Sequence, residues 1–427
     1  MSRFSHGLSD ESFAALAAGG GGPAAIDQLA AAEHSKHLLL LAGVVNESRD
    51  ADHEEHPPAA EGYALLSAVN SHDPVAAQQV IRHPSVGAWA VRTLIALRGG
   101  LGTPGATPGG LRAVAAAAAI RAGHRAEITV GAINSFVMLP TLGAAVVPGD
   151  SALVRSADSA ASVGSVQVPA DPHRDGPGWH GLRRVRAGAL DVLIDDLDPF
   201  RYPAAANLAV RQGGKAWTET LTESWAVLQL HHPAVAAEVA AVARVITPLV
   251  VSSGDAESSS SPEVFGTVAM SLPTDPVSGA EAFAHEVQHI KLGALLDLME
   301  LTKPDNGSRY YAPWRPDPRP AGGLLQGAYA YLGVSGFWRR QRLVEGYRER
   351  GDREYARWRA AAAAVVATLR SSGRLTDDGH EFITGMARTL APWQLEPVSA
   401  AAQASAERAA AEHLARWRST HSAGSAG

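Results

Sequence analysis

The stretch AEAFAHEVQHIKLGALLDL, Ala280–Leu298, contains the pattern H-E-x-x-H between His285 and His289. No proline interrupts this stretch, which predicts a continuous helix. The two histidines are four residues apart, so both imidazoles project from one face of that helix and can bind one metal ion. Glu286 is one step further round and can reach a water molecule or a ligand on that ion. The stretch therefore predicts a metal-binding helix.

The rest of the chain predicts an α+β fold that is mostly helical. Ser278 and Glu281 have the spacing of a capping box, which places the start of the metal-binding helix near Ser278. Val264–Leu272 predicts a strand directly before it, as in the zincin-like arrangement of a strand plus an H-E-x-x-H helix. Alternating stretches in the middle of the chain predict a small, mainly antiparallel sheet, and these are Ile128–Val130, Phe136–Leu139, Ala152–Val154 and Val166–Val168.

The changes in pattern divide the chain into three expected regions. Residues 1–125 form a helical N-terminal region, and residues 126–250 form a region of mixed strands and helices. Residues 251–427 form the metal-binding, mainly helical catalytic region. The boundaries follow shifts from helical to alternating hydrophobic patterns and back.

Composition and charge exclude several classes of function. The 427 residues include no cysteine, so any metal must be held by nitrogen and oxygen ligands. The formal net charge of −6 gives no basic surplus that would favour nucleic acid or an anionic membrane. Apolar runs such as Ala113–Ile120 are far shorter than the ~20 residues that span a bilayer, and the N-terminal residues lack a signal-type apolar core. We expect a cytoplasmic bacterial protein, and its oligomeric state is not indicated.

The third protein ligand of the metal stays open. One class of zinc peptidase extends the motif to H-E-x-x-H-x-x-G-x-x-H, and the extension is missing after His289. Another class takes a glutamate from a following helix, but Glu345 is the only glutamate on the next long predicted helix, Leu324–Arg348. Gln326, at the start of that helix, is placed to reach back, although its amide oxygen would be a weak, neutral ligand.

A proline-rich loop after the metal-binding helix carries Arg309, Arg315 and Arg319. A guanidinium binds a carboxylate in a two-pronged, charge-assisted pair. The loop is therefore a candidate for holding a cosubstrate that carries carboxylates. The alternative is a structural loop whose arginines form ion pairs.

Two further polar clusters have simpler explanations than metal binding. Asp195, Asp196 and Asp198 could bind a cation, but they lack the spacing of a calcium loop. A solvated turn whose carboxylates cap backbone donors is the preferred interpretation. His231 and His232 suit the negative end of a helix, with a ligand role as the alternative.

The chain resembles a family of actinobacterial enzymes from peptide natural-product (RiPP) pathways. These are the 2-oxoglutarate- and iron-dependent peptide β-hydroxylases that carry the H-E-x-x-H motif. The resemblance runs over nearly the whole length, and the order of the similar stretches is specific. In chain order they are HPSVGAWAVRTL (His83–Leu94), AAAAAIRAG (Ala115–Gly123), VMLPTLGAA (Val137–Ala145), DDLDPFR (Asp195–Arg201), VFGTVAMSLP (Val264–Pro273), AHEVQHIKLGALLDL (Ala284–Leu298), APWRPDPRPAGGLLQGAYA (Ala312–Ala330) and FWRR (Phe337–Arg340).

The resemblance implies an oxidative use of the two histidines. His285 and His289 would bind Fe(II) and leave positions for 2-oxoglutarate and O2. Glu286 would hydrogen-bond an iron-bound water or orient the oxygen. Arg315 or Arg319 would hold the distal carboxylate of 2-oxoglutarate. The implied reaction is hydroxylation of the β-carbon of a residue in a ribosomally made precursor peptide.

Two other functions stay open at this point. In a zinc metallopeptidase, Glu286 would deprotonate a zinc-bound water. In a non-catalytic relative, the helical protein would bind a peptide without a working metal site. In the hydroxylase that the resemblance implies, the Val264–Leu272 strand could pair with an extended peptide substrate.

Overall fold

The computed structural model describes residues 7–203, 208, 209, 211, 214–250, 258, 259 and 261–421. The expected fold class is confirmed, because the chain is α+β and mostly helical with small sheets. The helices are α1 (Asp10–Ala17), α2 (Gly22–Asp50), α3 (His56–His72), α4 (Pro74–Ile81), α5 (Pro84–Leu97), α6 (Leu111–Arg121), α7 (Gly214–His231), α8 (Pro233–Val242), α9 (Pro276–Leu296), α10 (Ala321–Gln341), α11 (Arg348–Ser371), α12 (Asp377–Leu395) and α13 (Ala400–His421).

The strands are short and lie between α6 and α9 in the sequence. They are β1 (Ala126–Gly131), β2 (Phe136–Leu139), β3 (Gly143–Val146), β4 (Ser151–Ala157), β5 (Ala160–Val163), β6 (Val166–Gln167), β7 (Trp179–Gly181), β8 (Arg183–Ala187), β9 (Leu190–Ile194), β10 (Val245–Pro248), β11 (Ser258–Ser259) and β12 (Thr267–Met270). The predicted strand Phe136–Leu139 matches β2, and the other three stretches predicted in this region fall on or overlap β1, β4 and β6.

The chain divides into two units, each assembled from separate segments. The helical unit comprises Met1–Ala30, Glu223–Val242 and Thr274–Gly427, and the sheet unit comprises Ala31–Thr222 and Ala243–Pro273. This division differs from the three contiguous regions expected from sequence. Hydrophobic patterns are local, whereas the units are set by packing between segments that are hundreds of residues apart.

The sheet unit holds three sheets with the strand orders β1-β4-β5-β6, β2-β3-β7 and β11-β12-β10-β9-β8. Most pairs are antiparallel, as expected, but β9, β10 and β12 run parallel. The alanine-rich helix α6 packs on β1 and β2, and it is buried through Ala115–Ala119. Small side chains on α6 allow this close packing of helix on strands.

The strand expected at Val264–Leu272 is shorter in the structure and is largely paired already. β12 pairs with β10 along its length, and β11 pairs with its other side at Ala269 and Met270. At these two residues β12 has no free edge to which a peptide strand could be added. The zincin-like combination of this strand with α9 stays a prediction.

In the helical unit, α10 packs between α9 and α11, and α12 and α13 pack on α11. Gly333 lets α10 approach α9 closely: a Cβ atom there would lie 2.8 Å from the carbonyl oxygen of Ala284 and 2.6 Å from Gln288 Cγ. Gln288 in turn donates from Nε2 to the carbonyl of Gly19. These contacts fix the height and rotation of α9, and with them the positions of its histidines.

A buried ion pair joins the segments of the helical unit. Lys291 on α9 is fully buried, and its Nζ donates to Glu238 Oε2 at 2.6 Å and to the carbonyl of Gly20 at 2.7 Å. Burial lowers the pKa of Lys291, while Glu238 opposes that change. Removal of either partner would leave a buried charge unpaired, which typically costs about 3–5 kcal/mol.

The start of α9 differs from the expected capping box. The helix begins at Pro276, and Asp275 is its N-cap, with Oδ1 accepting from the backbone amides of Val277 and Ser278 at 3.0 Å. Aspartate followed by proline at the first helical position is a favoured start. Glu281 does not cap the helix, and its side chain instead accepts a hydrogen bond from Trp338. Within the described residues, no helix is both long and apolar enough to cross a membrane.

Candidate metal centre

The two histidines of the motif meet on one face of α9, as their spacing predicts. Their Nε2 atoms lie 3.1 Å apart, and the rings make an edge contact with centroids 4.9 Å apart. The pKa of His285 lies well below its usual value because the ring is largely removed from water and because His289 is adjacent. A neutral imidazole with a lone pair on nitrogen is the form that binds metal.

Gln326 contacts the far side of the His289 ring. Its Oε1 lies 3.1 Å from His289 Nδ1, and an amide oxygen can only accept, so Nδ1 donates. This bond leaves Nε2 of a neutral His289 ring as the nitrogen with the lone pair. In this arrangement the Gln326 oxygen faces Nδ1 and not Nε2 of His289, so the contact orients the ring. The third-ligand role of Gln326 stays a prediction, and orienting a ligating histidine is the alternative role, one common around metal sites.

Glu286 is completely buried beside the histidine pair. Its Oε1 lies 3.8 Å from His285 Nε2, and its side chain is 0% exposed. The carboxylate is therefore within reach of a molecule bound at His285, as the sequence predicted. The geometry is compatible with a hydrogen bond to a metal-bound water or with a general base.

The donor set fits one divalent ion. The two Nε2 atoms are 3.1 Å apart, so both could bind an ion at metal–nitrogen distances of about 2.1 Å. Among the described residues, no group of three or more histidines or carboxylates could hold a metal. His285 and His289 would therefore be the nitrogen ligands of such an ion.

An aromatic stack adjoins the histidine pair. Tyr331 on α10 lies between Trp314 and Trp358, with ring centroids 4.8 and 4.3 Å away, and its edge contacts the ring of His285 at 5.2 Å. Trp314 reaches this position because Gly327 has no side chain: a Cβ atom there would lie 2.3 Å from the Trp314 ring. Burial and the nearby carboxylates raise the pKa of Tyr331, so this hydroxyl stays protonated at neutral pH.

Glu281 is a further buried carboxyl on the histidine face of α9. It precedes His285 by four residues, so the two side chains lie on one face of the helix. Its Oε1 accepts from Trp338 Nε1 at 2.8 Å. Burial, with a smaller contribution from Glu354, raises the pKa of Glu281 to about 7. The carboxyl can therefore hold or release a proton near neutral pH.

The capping-box pattern predicts a capping role for Glu281, which is not among the site residues predicted from sequence. The spacing E-x-x-x-H-E-x-x-H was the signal that could have placed it with the histidines. Tyr331 lacked such a signal, because its contact with His285 depends on how α10 crosses α9.

The three candidate arginines occupy different places. Arg309 pairs with Asp305 at 3.0 Å in an exposed i,i+4 ion pair, which matches the structural alternative. Arg315 and Arg319 share the carboxylate of Asp317, at 2.8 and 3.3 Å. Of the three candidates, Arg315 is the one close enough to Tyr331 to lower the pKa of its hydroxyl, although Arg357 lowers it more.

The other predicted clusters are used structurally. His232 is buried, stacks on Phe337 with centroids 4.1 Å apart, and contacts Gln341 Oε1 through Nε2 at 2.9 Å. In the sheet unit, Asp195 Oδ1 accepts from the backbone amides of Leu197 and Asp198. The capping of backbone donors in this acidic turn is confirmed, but the turn is not solvated, because Asp195, Asp196 and Asp198 are buried.

Comparison with known proteins adds no family assignment. No family model matches the chain, and no curated protein matches it either.

Proposed function

We propose that this chain is an Fe(II)- and 2-oxoglutarate-dependent hydroxylase that acts on the β-carbon of a residue in a ribosomally made precursor peptide. The observation that carries the proposal is the donor set: two imidazole nitrogens lie 3.1 Å apart on α9, and in the described part of the chain no third histidine or carboxylate completes a group that could hold a metal. Two protein ligands leave room for a cosubstrate that brings its own oxygen donors.

Each nearby side chain has a role in this proposal. His285 and His289 would hold the iron, and Gln326 would keep the His289 ring in the required orientation. Arg315 would pair with the distal carboxylate of 2-oxoglutarate, exchanging its present partner Asp317. Iron, 2-oxoglutarate and O2 would supply the oxidising chemistry, while the protein orients the reactants and excludes water.

Glu286 has a narrower role than in a peptidase. Its buried carboxylate near His285 would accept a hydrogen bond from a water bound next to that histidine. In the runner-up proposal, a zinc metallopeptidase, the same carboxylate would be the general base. That function normally uses three protein ligands, and the described residues offer two.

The resemblance to the peptide β-hydroxylases supports the oxidative proposal independently of the site. It extends from His83 to Arg340 and includes the stretch that carries the arginines and Gln326. One reaction tests whether the peptide is a substrate and separates the hydroxylase from the non-catalytic alternative.

The test is a single-turnover reaction with the full chain. The protein is loaded anaerobically with Fe(II) and 2-oxoglutarate, mixed with the precursor peptide encoded beside its gene, and exposed to air. We expect the peptide to gain one oxygen atom, located on a β-carbon by fragmentation, together with an equal amount of succinate.

His285→Ala should abolish both products, whereas His231→Ala, on α7, should leave them unchanged. Zinc-dependent cleavage of the peptide without 2-oxoglutarate would establish the peptidase instead. Peptide binding without either reaction would support the non-catalytic alternative.

A further inference from the structure

A cleft of about 450 Å³ lies wholly within the sheet unit. Its volume is in the range typical of ligand sites. The walls are largely apolar and include Trp89, Ile133, Phe136, Met138 and Phe200. Phe136 is 37% exposed and Met138 is partly exposed, whereas Val137 and Leu139 on the other face of β2 are buried, so an apolar surface is open to a ligand here.

One wall of the cleft is the free edge of a sheet. β1 is the outermost strand in the order β1-β4-β5-β6, and the cleft is lined by every residue from Thr129 to Ile133. Side chains of a strand alternate between its two faces. A lining of consecutive residues therefore means that the cleft meets the strand edge-on.

The hydrogen-bond register identifies the open backbone groups of this edge. The Ala132 amide donates to the carbonyl of Asp150, so residues of even number on β1 face β4. On β4, the carbonyl of Leu153, opposite Thr129, accepts from Gly164 on the far side. In an antiparallel pair, the N–H and C=O groups of Thr129 and Gly131 therefore point away from β4. No hydrogen bond from another described residue reaches these groups.

The acidic side chains that line the cleft outnumber the basic ones. Glu55, Asp150 and Asp198 line it, and Arg112 is its one cationic lining residue among those described. Asp198 is buried and has Arg92 and Arg201 near its carboxyl, so the exposed Asp150 is the charge most open to an occupant. The Arg112 guanidinium is paired with Glu61. An occupant that carries a positive charge is therefore favoured over a neutral or anionic one.

We propose that this cleft binds an extended peptide segment that carries a basic side chain beside an apolar one. The peptide backbone pairs with Thr129 and Gly131 as an added strand. Its apolar side chain enters between Phe136 and Phe200, and its basic side chain faces Asp150. The inference goes beyond the proposed hydroxylase activity and does not need the metal.

The test measures binding of three fluorescein-labelled heptapeptides by fluorescence anisotropy on the metal-free full chain. The peptides consist of valine and threonine and differ only in the central residue, which is arginine, glutamine or glutamate. We expect saturable binding of the arginine peptide, with the glutamate peptide bound at least about tenfold more weakly. His285→Ala should bind the arginine peptide like the wild type, so a failed hydroxylation reaction and a failed docking site give different results.

Two proline variants test strand addition on the protein side. Thr129→Pro removes an outward N–H group without touching the bonds to β4, a position where proline is tolerated on an edge strand. Glu127→Pro makes the same change on the same edge outside the cleft. Thr129→Pro should weaken binding of the arginine peptide about tenfold, because backbone hydrogen bonds to the peptide are lost. Glu127→Pro should leave this binding unchanged.

Further variants separate charge from backbone pairing. Asp150→Asn should reduce the preference for arginine over glutamine. N-methylation of the arginine peptide at alternate amides should abolish binding, which tests the pairing even if Thr129→Pro does not fold. Equal binding of all three peptides, no saturable binding of any, or complete displacement by an equal concentration of free arginine would each overturn the proposal.

Discussion

Gln326 Oε1 and His289 Nδ1 lie 3.1 Å apart and join α10 to the metal-binding face of α9. Because the amide oxygen can only accept, the bond holds the proton of the neutral ring on Nδ1 and turns Nε2 towards His285. The orientation of a candidate metal ligand is thus set by a residue on another helix. In this arrangement the amide oxygen of Gln326 is engaged with Nδ1 and not directed at Nε2 of His289.

Gln326→Leu should weaken metal binding by about 10–100-fold, the usual cost of losing a hydrogen bond to a ligating histidine. Gln326→Glu retains the acceptor and should bind the metal at least as tightly as the wild type. Competition with a chelating dye measures both affinities. If Gln326→Leu binds the metal as tightly as the wild type, the orienting role is incorrect.

Arg315 should set the affinity for 2-oxoglutarate. Arg315→Gln removes a charge-assisted pair and should raise the concentration needed for half-saturation about tenfold or more. Arg309→Gln is the matched control, because Arg309 is engaged with Asp305 in an exposed pair. An equal loss in both variants, measured by titration of the iron-loaded protein, would contradict the assignment.

Gly333 should be needed for the packing of α10 on α9. Gly333→Ala places a methyl group 2.8 Å from the Ala284 carbonyl oxygen, and such overpacking typically costs about 1–3 kcal/mol. Gly293→Ala, on α9, meets nothing within 4 Å and should stabilise the helix by about 0.5–1 kcal/mol. Denaturant unfolding compares the two, and a stability loss in Gly293→Ala alone would reverse our account of this interface.

Glu281 should make stability fall as pH rises towards neutrality. Its pKa is raised from 4.5 to about 7 by burial, so the folded chain keeps a proton that the unfolded chain has lost. This stabilisation is fully present below about pH 4.5 and is lost as pH rises through about 7. Between about pH 5.5 and pH 8 the loss amounts to about 2 kcal/mol.

Glu281→Gln keeps an acceptor for Trp338 and has no charge to titrate. The difference in unfolding free energy between wild type and Glu281→Gln should therefore change by about 2 kcal/mol over that pH range. The measurement is chemical denaturation at both pH values, with the exposed Glu412→Gln as control. If the unfolding free energies of wild type and Glu281→Gln change by the same amount between the two pH values, the Glu281 carboxyl does not titrate in this range.

The part of the site that follows from local helical geometry could be predicted from sequence. His285 and His289 are four residues apart, so any helix through them brings their rings together. Asp275 followed by Pro276 is also a favoured helix start, and it conflicts with the capping-box pattern of Ser278 and Glu281. Local rules can conflict, and only the packing of Glu281 against Trp338 decides between them.

The rest of the site depends on contacts between distant segments. The nitrogen of His289 that Gln326 contacts is fixed by the crossing of α9 and α10 at Gly333. The grouping of the N-terminal glycines with the helical unit depends on the buried pair of Lys291 and Glu238. The open edge at Thr129 depends on which strand neighbours β1. Sequence periodicity carries none of this information, because it records burial along one element and not the identity of its neighbours.

The proposed iron site can be measured directly by anaerobic titration of Fe(II) into the protein with 2-oxoglutarate, followed by visible absorption. We expect a metal-to-ligand band that saturates with a single iron per chain. The band should be absent in His285→Ala and His289→Ala and retained in His231→Ala. A band of unchanged intensity in His285→Ala, or no band in the wild type, would contradict the assignment of these two histidines as an iron site.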